Sequence, residues 1–287
     1  MNEPLVSIIV TTRNNHQTLD ACLSSIVNQK YTRLELIVVD RDSNDGTKLI
    51  ARYYTDKVFN CGPERSAQRN FGVAQARGEF VVIIDSDMEL DPYVVRDCVD
   101  TMHYRPDTQG IIIPEESFGR GFWAHCKQLE RSYYHNNDAI EAARFFAKVT
   151  YETVGGYDEA MVSGEDWDLS ARVRATGPIE RVTSGIRHNE GRLKLFKSLR
   201  KKFYYAGLAR TYLARHKTDT GLVSGQGPLQ RYKLFLSRPG TLLRHPLVGS
   251  GMLLMKTAEY AAGAVGYLLG ARPPKTDEKE PTAYEHA

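Results

Sequence analysis

Two aspartates one residue apart, Asp85 and Asp87, close an apolar run in the stretch Phe80 to Pro92, FVVIIDSDMELDP. Carboxylates at i and i+2 where a strand ends can aim hard oxygen ligands at one divalent cation. An ordinary polar strand end has the same spacing, so the pair alone decides nothing. Asp40 and Asp42 close a second apolar run, ELIVVDRDSNDGT at 35 to 47. Glu165 and Asp166 stand together in SGEDWDLSARVRATG, residues 163 to 177. There a carboxylate can take a proton from a hydroxyl, or simply sit at a helix N-terminus that the macrodipole favours. His188, in RHNE at 187 to 190, can ligate a metal, although a lone histidine is more often a surface or core residue.

The elements carrying these residues alternate. Leu5 to Val10 reads as a buried strand, followed by a polar loop with Thr11, Thr12, Arg13 and Asn14. Thr18 or Asn15 can cap the next helix, in which Leu19, Cys22, Leu23, Ile26 and Val27 recur at helical spacing. Leu34 to Val39 is a second strand, Thr47 to Tyr54 a helix, and Val58 and Phe59 a short edge strand. A helix over 64 to 76, stopped by Gly78, leads to the strand at 80 to 84. Beyond it we expect a helix over Pro92 to Met102, a strand over Gly110 to Pro114, and an amphipathic stretch from Trp123 to Asn136. A strand over Ile140 to Lys148, the helix on the 163 to 177 segment, and a short strand from Ile179 to Val182 follow. Strands apolar on both faces and alternating with helices imply an α/β fold, a mainly parallel sheet with flanking helices. Ligands of such sheets bind beyond the carboxyl ends of the strands, where Thr11, Asp40, Asp42, Asp85 and Asp87 all fall.

The formal net charge of +3 hides a division. Residues 1 to 186 hold 20 Lys+Arg against 28 Asp+Glu, residues 187 to 275 hold 17 against 3, and the last twelve hold 1 against 4. The basic part begins with an amphipathic helix from Leu193 to His216. A Gly-rich loop (218 to 228), a short apolar stretch (229 to 236), an RPGT turn (238 to 241) and the apolar run Leu247 to Gly270 complete it. Lys256 and Glu259 interrupt that last run, and charges at mid-span make bilayer crossing costly. We therefore expect an interfacial or re-entrant helix, ahead of one packed on the preceding domain, with a true span last. The division reads as a catalytic domain over 1 to 190, a basic helical segment over 191 to 272, and a disordered polar tail over 273 to 287. A basic segment points to a polyanionic partner, anionic lipid or nucleic acid. Leu and Phe on one helical face, with no RNA-binding signature, favour the membrane. Four scattered cysteines without a CxxC fit a reducing compartment and argue against both a zinc site and a disulfide scaffold. The start, MNEPLVSIIVTT, lacks the n-region and long h-region of a signal peptide.

Taken in order, VSIIVTTRN, ELIVVDRDSNDGT, ERSAQRNFGVAQARGEFVVIIDSDMELDP (64 to 92), VGGYDE (154 to 159) and GEDWDLSARVRATG resemble the family 2 glycosyltransferases. These are inverting, nucleotide-sugar-dependent enzymes of the GT-A fold, and the likeness covers roughly residues 4 to 190. The resemblance implies a UDP-sugar donor, with Thr11 and Arg13 beside the nucleotide, Asp40 reading the base, and Asp42 near the base and ribose. Arg69 would reach toward base or phosphates. It implies Mg²⁺ or Mn²⁺ at the Asp85–Asp87 pair, with Asp87 the direct ligand, Asp85 nearer ribose or a water, and His188 completing the site. Asp166 is the implied general base, with Glu165 as alternative, and Arg192 can meet a donor diphosphate or a lipid phosphate. Processive members carry QxxRW where this chain has HNEGRLK, which favours transfer of a single sugar. The expected acceptor is a polyprenyl-(di)phosphate-linked sugar at the cytoplasmic face of the cell membrane, with peripheral or monotopic attachment. A soluble cytoplasmic enzyme acting on a glycan or protein is the alternative, and a nucleotidyltransferase or nucleic-acid-binding module a distant one.

Overall fold

The computed structural model describes residues 3–138, 140–161, 163–216 and 227–269. Most of the Gly-rich loop expected over 218 to 228, and the tail from 273, lie outside them.

The N-terminal half alternates as its hydrophobic pattern requires: β1 (Val6–Thr12), α1 (Leu19–Val27), β2 (Leu34–Asp40), α2 (Thr47–Tyr54), β3 (Val58–Asn60), α3 (Arg65–Gln75) and β4 (Phe80–Asp85). The chain continues through β5 (Met88–Leu90), α4 (Val94–Tyr104), β6 (Gly110–Ile112), β7 (Glu115–Phe118), α5 (Phe122–Ser132), β8 (Phe145–Ala147), α6 (Lys148–Thr153), α7 (Glu165–Arg174), β9 (Ile179–Arg181) and β10 (Ile186–Asn189). Among the described residues four helices close it: α8 (Leu195–His216), α9 (Pro228–Ser237), α10 (Pro239–Arg244) and α11 (Pro246–Leu269).

Seven strands form one sheet in the order β3-β2-β1-β4-β8-β6-β9. All run the same way except β8, which is antiparallel to β4 and β6. The sheet is therefore mixed, parallel in its first half, where crossover helices impose it. Alternation along the strands sends Val6, Ile8, Val10, Val82 and Ile84 to one face, packed with side chains of α1, α2 and α4. Ile9, Ile37, Val39, Val81 and Ile83 face the other way, toward α3, α6 and α7.

Short polar stretches fold differently from their sequence reading. The patch at 187 to 190 is largely strand β10, which joins β5 and β7 in a second, three-stranded sheet. The strand expected over 140 to 148 shrinks to three residues, and the loop placed from Thr11 is still strand β1 as far as Thr12. RPGT is no simple turn, because Pro239 opens the short helix α10, a position where its missing N–H costs nothing.

A third core lies between α5 and the C-terminal helices, around Cys126, Tyr133, Tyr134, Phe235, Met252 and Met255. Here α11 packs along α8 and α5, the reading ranked second in the sequence. The mid-run charges are the reason. Lys256 Nζ lies 2.7 Å from Glu130 on α5 and 3.3 Å from Glu259. Lys127 reaches Glu130 at 2.9 Å, and Ser198 on α8 donates to Glu259 at 2.7 Å. Charges that would burden a membrane helix thus become the polar joint of three helices. At Gly266 a Cβ would lie 2.1 Å from the carbonyl oxygen of Phe203, so only glycine permits this approach of α11 to α8. Among the described residues no helix is long and apolar enough to cross a membrane.

Candidate active site

The sheet delivers its carboxylates to one end. In register, Thr11 on β1 lies opposite Asp85 on β4, and Thr12 opposite Asp40 on β2. Residues of the loop leading into α1 fix the turn between the paired aspartates: Asn15 Nδ2 donates to Ser86 Oγ at 2.7 Å, and Thr18 Oγ1 donates to the Ser86 carbonyl at 2.9 Å. Thr18 precedes α1 without capping it by its side chain, because its hydroxyl is spent on that turn.

Arg69 organises the centre. Its guanidinium is wholly buried and bonds Asp85 Oδ1 at 2.9 Å, Asp166 Oδ1 at 2.9 Å and Glu165 Oε1 at 3.4 Å. It also lies 4.8 Å over the ring of Tyr157, whose hydroxyl donates to Asp166 Oδ1 at 3.0 Å. One side chain from α3 therefore ties the end of β4 to the start of α7. Burial works against the charge on Asp85, but Arg69, Arg144 and Arg65 outweigh it and hold the carboxyl far below its usual range. Glu165 differs: burial, then the neighbouring Asp166, raises its pKa against Arg65 and Arg69. Gly164 leads into α7 at φ +83°, a left-handed conformation that glycine adopts without strain. Glu165, Asp166 and Asp168 then fill the first turn, where the helix dipole favours negative charge. Of the ED pair, Glu165 is buried while the Asp166 side chain is 30% exposed.

The small sheet brings in the histidine. Pairing of β10 with β5 sets His188 opposite Met88, and the Asn189 N–H donates to the Asp87 carbonyl at 2.8 Å. His188 Nε2 is then 3.3 Å from Asp87 Oδ2, and its Nδ1 is 3.6 Å from Glu115 Oε2. Burial disfavours the imidazolium, but Asp87 and Glu115 prevail and push the pKa up to about 10.

A divalent cation, which the resemblance implies, is tested by these donors. His188 Nε2 is the nitrogen that faces Asp87 Oδ2; a cation there would displace its proton, and a carboxylate oxygen with an imidazole nitrogen suits Mn²⁺ or Mg²⁺. Among the described residues no cluster of three or more His, Cys, Asp or Glu could hold a metal. The fit is thus to a cation that takes its other ligands from bound phosphate, as Mg²⁺ commonly does.

The remaining expected residues are scattered around this centre. Thr11 is nearly buried, 3.5 Å from Asp85 Oδ1. Asp40 is fully buried and accepts from the backbone N–H (2.8 Å) and the hydroxyl of Ser43, with Lys48 at 3.7 Å. Asp42 is 87% exposed at φ +47°, 3.4 Å from Lys48. Arg13 lies exposed just past β1, and Arg192 lies exposed just past β10.

Sequence reading passed over Glu115 and Arg144. Arg144 bonds Glu115 at 2.5 Å and lies 3.6 Å from Asp85, while Arg131 meets Glu115 at 3.3 Å. Glu115 follows an isoleucine run and Arg144 precedes two phenylalanines; a charge abutting a buried strand was the available signal. A cleft of about 310 Å³ opens beside Asp166, with Arg65, Arg131, Arg144, Trp167 and Lys202 in its wall. A larger hollow of about 620 Å³ lies at the opposite ends of β1 and β2. Its buried carboxylate, Glu35, is already met by Ser7, Lys57 and Arg77.

Comparison with known proteins gives a consistent result. The chain is similar to a mannosyltransferase from Pyrobaculum calidifontis solved with GDP-Man and Mn²⁺, at TM-score 0.59 and 17% identity over 93% of this chain and 88% of that one. It is 33% identical over 191 residues to the glycosyltransferase AglE of Haloferax volcanii, covering 61% of this chain and 62% of AglE. It is 36% identical over 97 residues to the GalNAc(5)-diNAcBac-PP-undecaprenol beta-1,3-glucosyltransferase of Campylobacter jejuni, covering 30% of this chain and 31% of that protein. The match therefore spans less than two thirds of the Haloferax and Campylobacter relatives. The profile described as "Glycosyl transferase family 2" covers residues 7–153, just over half the chain. With the mixed α/β sheet, the carboxylates at its strand ends and this match in view, the chain belongs to glycosyl transferase family 2.

Proposed function

We propose that the chain is an inverting, GT-A-type glycosyltransferase that moves one sugar from a nucleotide-sugar donor, UDP-linked by resemblance, to a lipid-linked acceptor. The observation that carries this reading is Arg69, which holds the Asp85 end and the Asp166 end of one site in a single buried contact set. In this reading residues 1 to 190 hold the chemistry, and residues 191 to 272 attach it to an anionic membrane surface. Asp40 and Asp42 face the nucleoside, with Thr11 at the end of β1 and Arg13 on the loop that follows. Asp40 has its oxygens engaged by Ser43, so its part is to set the loop against the base as much as to bond it. Arg69 has no exposed atom to offer a phosphate and acts through Asp85 as a positioning residue.

Asp87 and His188 would hold Mg²⁺ or Mn²⁺, with Asp85 behind them, and the cation would supply charge neutralisation for the departing diphosphate. Asp166 accepts the proton of the acceptor hydroxyl. Its Oδ1 is fixed by Arg69 and Tyr157, and its partial exposure admits an acceptor that buried Glu165 cannot meet. Named relatives that act on undecaprenol-diphosphate-linked substrates support the acceptor class. The exposed Phe196 and Leu247 beside a basic segment support the membrane-surface location. A screen of nucleotide sugars for metal-dependent protection against thermal unfolding tests the proposal. We expect one donor class to protect the wild type and not Asp87→Ala; protection of both alike, or by no nucleotide sugar, defeats it.

A further inference from the structure

The cleft beside Asp166 is lined by four cations, and three are already matched. Arg65 lies 3.3 Å from Glu165, Arg131 lies 3.3 Å from Glu115, and Arg144 meets Glu115 and Asp85. Lys202, on α8, has neither a hydrogen bond nor an ion pair among the described residues. The carboxylates nearest to it in charge are Glu130 and Glu259, and both are spent. Glu130 is held by Lys127, Lys256 and Tyr134, and Glu259 by Lys256 and Ser198. The Lys202 side chain is exposed at the cleft wall, where an entering anion can meet it directly. An ammonium in that position lacks a counter-ion, and it shares a wall with the carboxylate assigned to the acceptor hydroxyl.

We infer that this cleft binds an acceptor bearing a phosphate or diphosphate ester, with Lys202 on the anion while the acceptor hydroxyl meets Asp166. This rests on the transfer reading given above and adds the group that selects the acceptor. Arg65 and Arg131 line the same cleft as Lys202, so a multiply charged anion is favoured over a single carboxylate. Because α8 opens with exposed Phe196 in a basic segment, the ester can be borne by a lipid.

The test is calorimetric binding to the full chain in metal-free buffer, which removes any metal-held diphosphate mode at Asp87. Farnesyl diphosphate, farnesol and inorganic pyrophosphate are the probes. For Lys202→Gln we expect farnesyl diphosphate to bind about tenfold to a hundredfold more weakly, the worth of one charge-assisted contact. Lys202→Arg should recover most of that loss, and farnesol should not respond to either change. Unchanged diphosphate affinity in Lys202→Gln, or a loss that Lys202→Arg does not recover, overturns the inference. Pyrophosphate binding as tightly as farnesyl diphosphate assigns a free anion and overturns the ester acceptor. Nucleotide-sugar protection is read in a separate, metal-containing titration, so failure of the transfer reading and failure of the anion site appear in different experiments.

Discussion

Replacing Arg69 with methionine removes the guanidinium at the centre of the site and keeps much of its volume. The lost contacts are two at 2.9 Å and one at 3.4 Å, all to carboxylates, from a side chain with no solvent exposure. Breaking a buried ion pair by removing one partner typically costs about 3–5 kcal/mol. Asp85 keeps Arg144 nearby and Glu165 keeps Arg65, which places the expected loss near the lower end, about 3 kcal/mol at pH 7. The pH dependence follows from Asp85. Its folded pKa is depressed, so its share of stability is fully present above the unfolded value, near 3.8, and is lost progressively as pH falls from there toward the far lower folded value. The gap between wild type and Arg69→Met should therefore be widest at neutral pH and narrow below about pH 4. Urea unfolding at pH 7 and at pH 2.5, more than one unit below the unfolded value, reads this directly. In steady-state transfer the variant should lose mainly kcat, because Asp166 loses the contact that orients it. A stability loss of equal size at both pH values would show that Arg69 acts by packing, and an unchanged kcat would refute its positioning role.

Other outcomes follow from the same geometry. Asp166→Asn keeps the shape but cannot accept a proton, and should lower kcat by about 10²- to 10⁴-fold, the usual worth of a general base, with nucleotide protection retained. Lys256→Met leaves Glu130 to Lys127 and Tyr134 and Glu259 to Ser198 alone at the α5–α8–α11 joint, and should cost about 3 kcal/mol, the lower end for a broken buried pair, read as a lowered midpoint in urea. The full chain should float with vesicles containing phosphatidylglycerol and not with phosphatidylcholine alone, and the binding should fall as salt is raised, since basic residues dominate 187 to 275. Flotation indifferent to lipid charge would remove the membrane-surface reading.

Much of the architecture was legible along the chain, for a physical reason. Strands buried on both faces need continuous apolar runs, and β1, β2 and β4 have them, each ending in the polar residues that reach the site. Spacing also carried α1 and α3, whose apolar faces must meet that sheet. The short polar strands β5, β7 and β10 have no such signature. Their pairing comes from register between distant segments, and it alone brings His188 beside Asp87. The ion-pair partners were equally hidden. Nothing local in the sequence tells Arg69 to bury itself between Asp85 and the ED pair, or tells Glu115 to collect Arg144 and Arg131.

The C-terminal run shows the division most clearly. Its sequence determined a long helix, uncharged apart from one lysine and one glutamate, and so left membrane and protein as competing surroundings. Tertiary structure decided between these neighbours by supplying Glu130 and Ser198 as partners for the buried charges. At the site, likewise, composition and order determined which residues could do chemistry. Which of them face one another was settled by the fold, because charge pairing in a buried site depends on distances that no one-dimensional spacing records.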